Sequence, residues 1–96
     1  MKLIKIEPST RKDKKFTAIF MIDNKEKKIH FGAKGYSDYT INKDPMRKKA
    51  YIKRHIKEAK LWINTPNSPA ALSRWILWEN TSMKDAIKNF KTKFNL

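Results

Sequence analysis

The sequence predicts an α+β domain, a three-stranded antiparallel sheet followed by three helices packed on one of its faces. Three observations carry this. The first third of the chain alternates with the period of strands, two later segments open with a capping residue followed by proline, and apolar residues after each opening recur at helical spacing. The order βββααα, without an internal repeat, low-complexity stretch or linker, makes residues 1–96 a single domain.

In the first strand, "KLIKI" places Ile4 and Ile6 on one face. A polar loop, "EPSTRKDKK", leads to "KKFTAIFMI", where Phe16, Ala18, Phe20 and Ile22 share one face and Thr17, Ile19 and Met21 the other. A central strand covered on both sides has this pattern. Asp23 and Asn24 are turn formers, and "KIHFG" resumes with Ile29 and Phe31 before Gly32 ends it.

The first helix has Asp44 as N-cap and Pro45 at the first helical position, followed by "MRKKAYIKRHIKEAKLWI". At about 100° per residue, Tyr51, Ile52, His55, Ile56, Ala59, Trp62 and Ile63 share one side, and Lys49, Lys53, Arg54, Lys57 and Lys60 the other. Ser68-Pro69 repeats the start for "AALSRWILWEN", which is apolar nearly all round apart from Ser73 and Arg74 and therefore reads as the central buried element. Trp75, among Leu72, Ile76 and Leu77, is assigned to the core, and Trp78, near the helix end, to a partly exposed position. Ser82 and Asp85 resemble a capping box opening "MKDAIKNFKTKF", with Met83, Ile87, Phe90 and Phe94 on one stripe.

A domain of this size buries only about 60–65% of its unfolded surface, so a large enclosed substrate pocket is not expected. The absence of cysteine excludes a disulfide framework, a zinc ribbon and thiol catalysis, and fits a reducing compartment such as cytosol or nucleus. Any metal would have to use His30, His55 and carboxylates. No apolar run reaches the roughly 18–20 residues of a bilayer span, and "MKLIKIEPST" lacks the apolar core of a signal peptide. The expectation is an intracellular protein with no membrane partner and no cofactor.

Charge is the dominant global feature: 23 Lys and Arg against 9 Asp and Glu, a formal net charge of +14. The expected partner is a polyanion, and eleven aromatic residues add stacking potential that favours nucleic acid. Residues 41–64 hold eight Lys or Arg and two acids, a local +6. The stripe Lys49, Lys53, Arg54, Lys57 and Lys60 can track phosphates, extended by Lys43, Arg47 and Lys48, and a second basic cluster, Arg11, Lys12, Lys14 and Lys15, precedes the central strand.

"GYSDYTINKD", residues 35–44, invites a catalytic reading, because Asp38 and Asp44 lie close in sequence and His55 and Arg54 follow. Asp44 is better explained as a helix cap, however, and Ser37 and Asp38 as side chains that hydrogen-bond the loop backbone. No spacing matches a catalytic motif, so no catalytic residue is assigned and the protein is not expected to be an enzyme. Tyr36 and Tyr39 carry two readings: packing the loop between sheet and helix, or flanking a bound strand with their hydroxyls toward phosphate. A thin core also makes a homodimer plausible, which would double the basic surface.

The blocks "YSDYTINKD", "RKKAYIKRH", "ALSRWILW" and the terminal "IKNFKTKFNL" resemble a family of small basic proteins of unknown function encoded by large nucleocytoplasmic DNA viruses, in the manner of a marseillevirus member. The resemblance covers roughly residues 29–96, and Ser68-Pro69-Ala70 stands where a glycine is expected. It implies a viral protein acting near viral DNA in the factory, the host nucleus or the virion. Together these readings lead to a non-enzymatic, mostly sequence-independent DNA-binding protein. A virion structural or host-interaction protein is the alternative, with RNA binding and a metal-dependent nuclease behind it.

Overall fold

The computed structural model describes residues 1–96. Strands β1 (Lys2–Pro8), β2 (Lys14–Ile22) and β3 (Lys25–Ala33) form an antiparallel sheet in the order β1-β2-β3, as predicted. Asp23 and Asn24 both take positive φ, 52° and 63°, which their short polar side chains tolerate. This two-residue turn pairs Ile22 with Lys25, so β3 starts earlier than its apolar alternation marks.

The first strand corrects the sequence expectation. Leu3 pairs with Phe20 and is 2% exposed, Ile6 pairs with Ala18, and the register shifts between Leu3 and Lys5. The extra residue of this bulge brings Leu3 and Ile6 to the same face, leaving Ile4 exposed. In β2, Phe16, Ala18, Phe20 and Ile22 join the core as expected. Thr17 and Ile19 on the other face are buried too, flanked in register by Glu7 and His30 and by Lys5 and Lys28. His30 Nδ1 lies 2.8 Å from both Ser9 Oγ and Thr17 Oγ1, which ties β3 to the loop after β1.

The helical half is more divided than the predicted three helices. It comprises α1 (Tyr39–Asn42), α2 (Pro45–Arg54), a 3-10 turn (Ile56–Glu58), α3 (Ala59–Asn64), α4 (Pro69–Leu72) continuing into a π-helical segment (Ser73–Leu77), and α5 (Met83–Lys93). The predicted caps are in place: Asp44 accepts from Met46 N at 2.9 Å, Ser68 from Ala71 N at 3.1 Å and Ser82 from Asp85 N at 3.3 Å. The capping box is only half formed, since Ser82 N donates to Asn80 Oδ1 at 3.0 Å.

The first predicted helix breaks at His55, whose backbone leaves helical geometry (φ −104°, ψ 12°). Its ring stacks on Tyr51, and Glu58 N donates to its carbonyl at 2.8 Å, closing the 3-10 turn. Beyond the break the expected apolar side no longer holds together: Trp62 is buried, as Tyr51 is before it, but Ile56 and Ile63 are exposed.

The second correction lies in the tryptophan helix. Trp78 N donates to Ser73 O at 3.1 Å, the wider spacing of a π turn, which shifts the phase of every following side chain. Trp78 is thereby carried into the core at 8% exposure, while Trp75 moves to a flank, its Nε1 donating to Trp62 O at 2.8 Å and the Arg74 guanidinium and Lys93 Nζ over its ring, each 4.4 Å from the centroid. Leu72, Ile76 and Leu77 meet Phe20, Phe31 and Phe90 in one core.

Candidate nucleic-acid interface

The stretch 35–44 is built from two consecutive helix caps. Asp38 Oδ1 accepts from Thr40 N at 2.9 Å and from Thr40 Oγ1, starting α1. Asp38 Oδ2 receives Lys15 Nζ at 2.6 Å, an ion pair with side chains only 2% and 13% exposed that pins this loop to β2. Lys43 then adopts the left-handed conformation (φ 51°), Asn42 Oδ1 accepts from Asp44 N at 2.9 Å, and Asp44 starts α2. Tyr39 packs half-buried against the core with Lys48 Nζ 5.1 Å from its ring centroid, whereas Tyr36 is 74% exposed.

This connector, α2 and the π segment enclose a cleft of about 410 Å³ against the start of β2 and the end of β3. Lys14, Tyr36, Ser37, Arg47, Arg54, His55, Ser73 and Trp78 are among its lining residues. The sequence offered no expectation of this cleft, because its walls come from four separated segments. Inside it Trp78 stacks on Tyr51 (4.5 Å, 6°) and Tyr51 on His55 (4.3 Å, 29°), making a three-ring column. Burial, reinforced by the Glu58 charge and only partly opposed by Arg74 and Arg54, pushes the Tyr51 phenol up to about 12. Tyr51 is therefore a neutral packing group at physiological pH.

Behind the cleft, Glu79 joins α2 to the π segment. Its Oε1 accepts from Lys48 Nζ at 2.9 Å and Arg74 NH1 at 3.3 Å, and its carbonyl from Lys48 Nζ at 2.8 Å. Burial alone would raise the Glu79 carboxyl, but the Lys48 hydrogen bond and the charges of Arg74 and Lys48 outweigh it and hold the group below its ordinary value.

The predicted site residues thus fall into three groups. Lys15 and Lys48 are engaged in internal ion pairs and hold the scaffold. Lys43, Arg47, Lys49, Lys53, Arg54, Lys57 and Lys60 are exposed with no acidic partner within ion-pair distance, although the break at His55 sets Lys57 and Lys60 apart from the α2 residues. Arg47 and Arg54, seven residues apart on α2, line the cleft with Lys14, while Lys49 and Lys53 do not. In the N-terminal cluster Arg11 pairs with its neighbour Asp13 at 3.3 Å, and Lys12 is exposed without an acidic partner.

Of the side chains that suggested catalysis, Asp38, Arg54 and His55 line the cleft and Asp44 does not. Both Asp38 oxygens are occupied, and His55 Nδ1 lies 3.3 Å from Glu58 Oε2. No three His, Asp or Glu side chains gather as a metal-holding group. No helix is long and apolar enough to cross a membrane.

Fold and site together define a small α+β domain with a cationic, aromatic-lined cleft. Residues 4–55, more than half of the chain, match the model of a family of unknown function, DUF5754, and the chain belongs to that family. The matched segment runs from β1 to His55, so it includes the strands that contributed little to the resemblance over residues 29–96. No curated protein matches the chain. No solved structure matches it either.

Proposed function

We propose that this is a non-enzymatic, mostly sequence-independent DNA-binding protein that grips phosphates through α2 and its flanks. The carrying observation is the set of exposed cations on α2, Arg47, Lys49, Lys53 and Arg54, none with an acid in ion-pair reach. A surface evolved only for solubility would intersperse acids among them. The resemblance of the "YSDYTINKD" and "ALSRWILW" blocks supports a large DNA virus as the source, with the factory, host nucleus or virion as the place of action. Titrating labelled duplex DNA at about 50 mM and about 300 mM salt tests the reading, because neutralising about five phosphates gives a log-log slope of about −4 to −5. Unchanged affinity across that range, or no binding at the lower salt, overturns it.

A second reading, a protein-binding component of the virion or a homodimer, is favoured by Ile41, Met46, Ile56 and Ile63, which are 57–72% exposed. Sedimentation at rising concentration and pull-downs with capsid proteins separate it from the first. RNA in place of DNA is decided by the same titration with duplex RNA. A metal-dependent nuclease would nick plasmid in Mg²⁺ or Mn²⁺, and plasmid left equally intact by the wild-type protein and by Asp38→Ala removes that reading.

A further inference from the structure

The ring column ends on His55. Trp78 covers one face of Tyr51 and His55 the other, whereas the second face of His55 has no ring against it, and its side chain is 40% exposed. That free face belongs to a residue lining the cleft, where Arg47, Arg54 and Lys14 supply positive charge and Ser37, Ser73 and the exposed Tyr36 supply hydroxyls. The two acids in the lining are already partnered, Asp38 by Lys15 and Glu58 by His55. A planar group extending the column and an anion beside it are the two features the cleft is equipped to take. Its volume of about 410 Å³ lies within the roughly 300–1,000 Å³ usual for small-ligand sites.

We propose that the cleft takes one unpaired nucleotide unit, its base continuing the stack on His55 and its phosphate held by Arg47, Arg54 and Lys14. The inference rests on the nucleic-acid reading and sharpens it. Lys49 and Lys53, outside the cleft, hold duplex backbone without regard to sequence, while the cleft selects a strand end or an extruded nucleotide. Duplex DNA keeps its bases stacked internally and offers the cleft only phosphate. The same chemistry is presented by a free nucleoside monophosphate and by a single strand.

Calorimetric titration with four probes tests this: thymidine 5′-monophosphate, a short 5′-phosphorylated oligothymidylate, a duplex of the same length, and phenyl phosphate. Tighter binding of the single strand than of the duplex is expected, with competition by the monophosphate and weaker competition by phenyl phosphate. His55→Ala should lower single-strand affinity at least about fivefold, the lower end of what one base–aromatic stack contributes, and leave duplex affinity within about twofold. His55→Phe keeps a ring on Tyr51 and should restore single-strand binding, which guards against a loss of fold. Lys49→Gln with Lys53→Gln should do the reverse, weakening the duplex more. Binding of the monophosphate without binding of the oligonucleotide would overturn the strand-end assignment in favour of a free nucleotide. Duplex binding with no preference for the single strand, or equal losses on both in His55→Ala, overturns the cleft assignment and leaves the backbone-binding role standing. Phenyl phosphate as effective as the nucleotide also overturns it, in favour of a phosphorylated aromatic side chain. Failure of every nucleic-acid probe overturns the underlying reading instead.

Discussion

Asp38 shows how one side chain can serve as cap and counter-ion together. Its carboxylate starts α1 through Thr40 and neutralises Lys15, whose ammonium is only 13% exposed. Removing one partner of such a pair strands a buried charge, so Asp38→Ala is expected to cost about 3–5 kcal/mol in urea unfolding. Lys15→Met combined with Asp38→Ala should recover part of that loss, since no unpaired ammonium remains. Tyr51 gives a pH prediction of definite sign. Its folded pKa, about 12, lies above the ordinary 10.0, so the neutral phenol stabilises the fold fully below about pH 10, and that stabilisation is lost as pH rises toward 12. Tyrosinate absorbance should therefore include a component that appears only as pH approaches 12; its absence would show that the ring column does not exclude water. The caps at Asp44, Ser68 and Ser82 were readable from residue type and spacing, because a cap depends on atoms within three residues of itself. The Lys15–Asp38 pair was not, since its partners stand 23 positions apart.

At the scale of elements, two local departures shape the cleft. The π turn at Ser73–Leu77 turns Trp78 inward, and the break at His55 lets that ring lie on Tyr51. Neither has a proline or glycine to announce it, so helical periodicity ran straight through both. Gly32 marks where the sheet meets the π segment: its φ is +80°, and a Cβ there would lie 2.9 Å from Leu77 Cδ1. Gly32→Ala combines backbone strain with a steric clash and should destabilise by about 2 kcal/mol or more. Gly35, at φ +93° with open space around it, isolates the strain alone, so Gly35→Ala should shift the urea midpoint less. Equal shifts would mean that Leu77 yields without cost. The bulge in β1 belongs with these departures, because strand alternation assigned Ile4 to the core where pairing with β2 chose Leu3.

For the whole molecule, a charge of +14 is divided among distinct tasks. Lys15 and Lys48 are spent inside the scaffold, Arg47, Arg54 and Lys14 face the cleft, and Lys49 and Lys53 remain on the open surface. Replacing Lys49 and Lys53 together by Gln should weaken duplex binding and reduce the magnitude of the salt slope by about 2, one for each phosphate that is no longer neutralised. An unchanged slope would remove those two residues from the interface. The sequence by itself determined the α+β class, the three paired strands, the starts of α2, α4 and α5 and the excess of cations on α2, since each depends on residue type and short-range periodicity. Only the tertiary structure decided that Trp78 rather than Trp75 is buried, which cations are free and that a cleft exists. Those outcomes depend on how large rings and charges far apart in the chain share one small core, where a shift of a single residue in a bulge or a π turn reassigns every side chain after it.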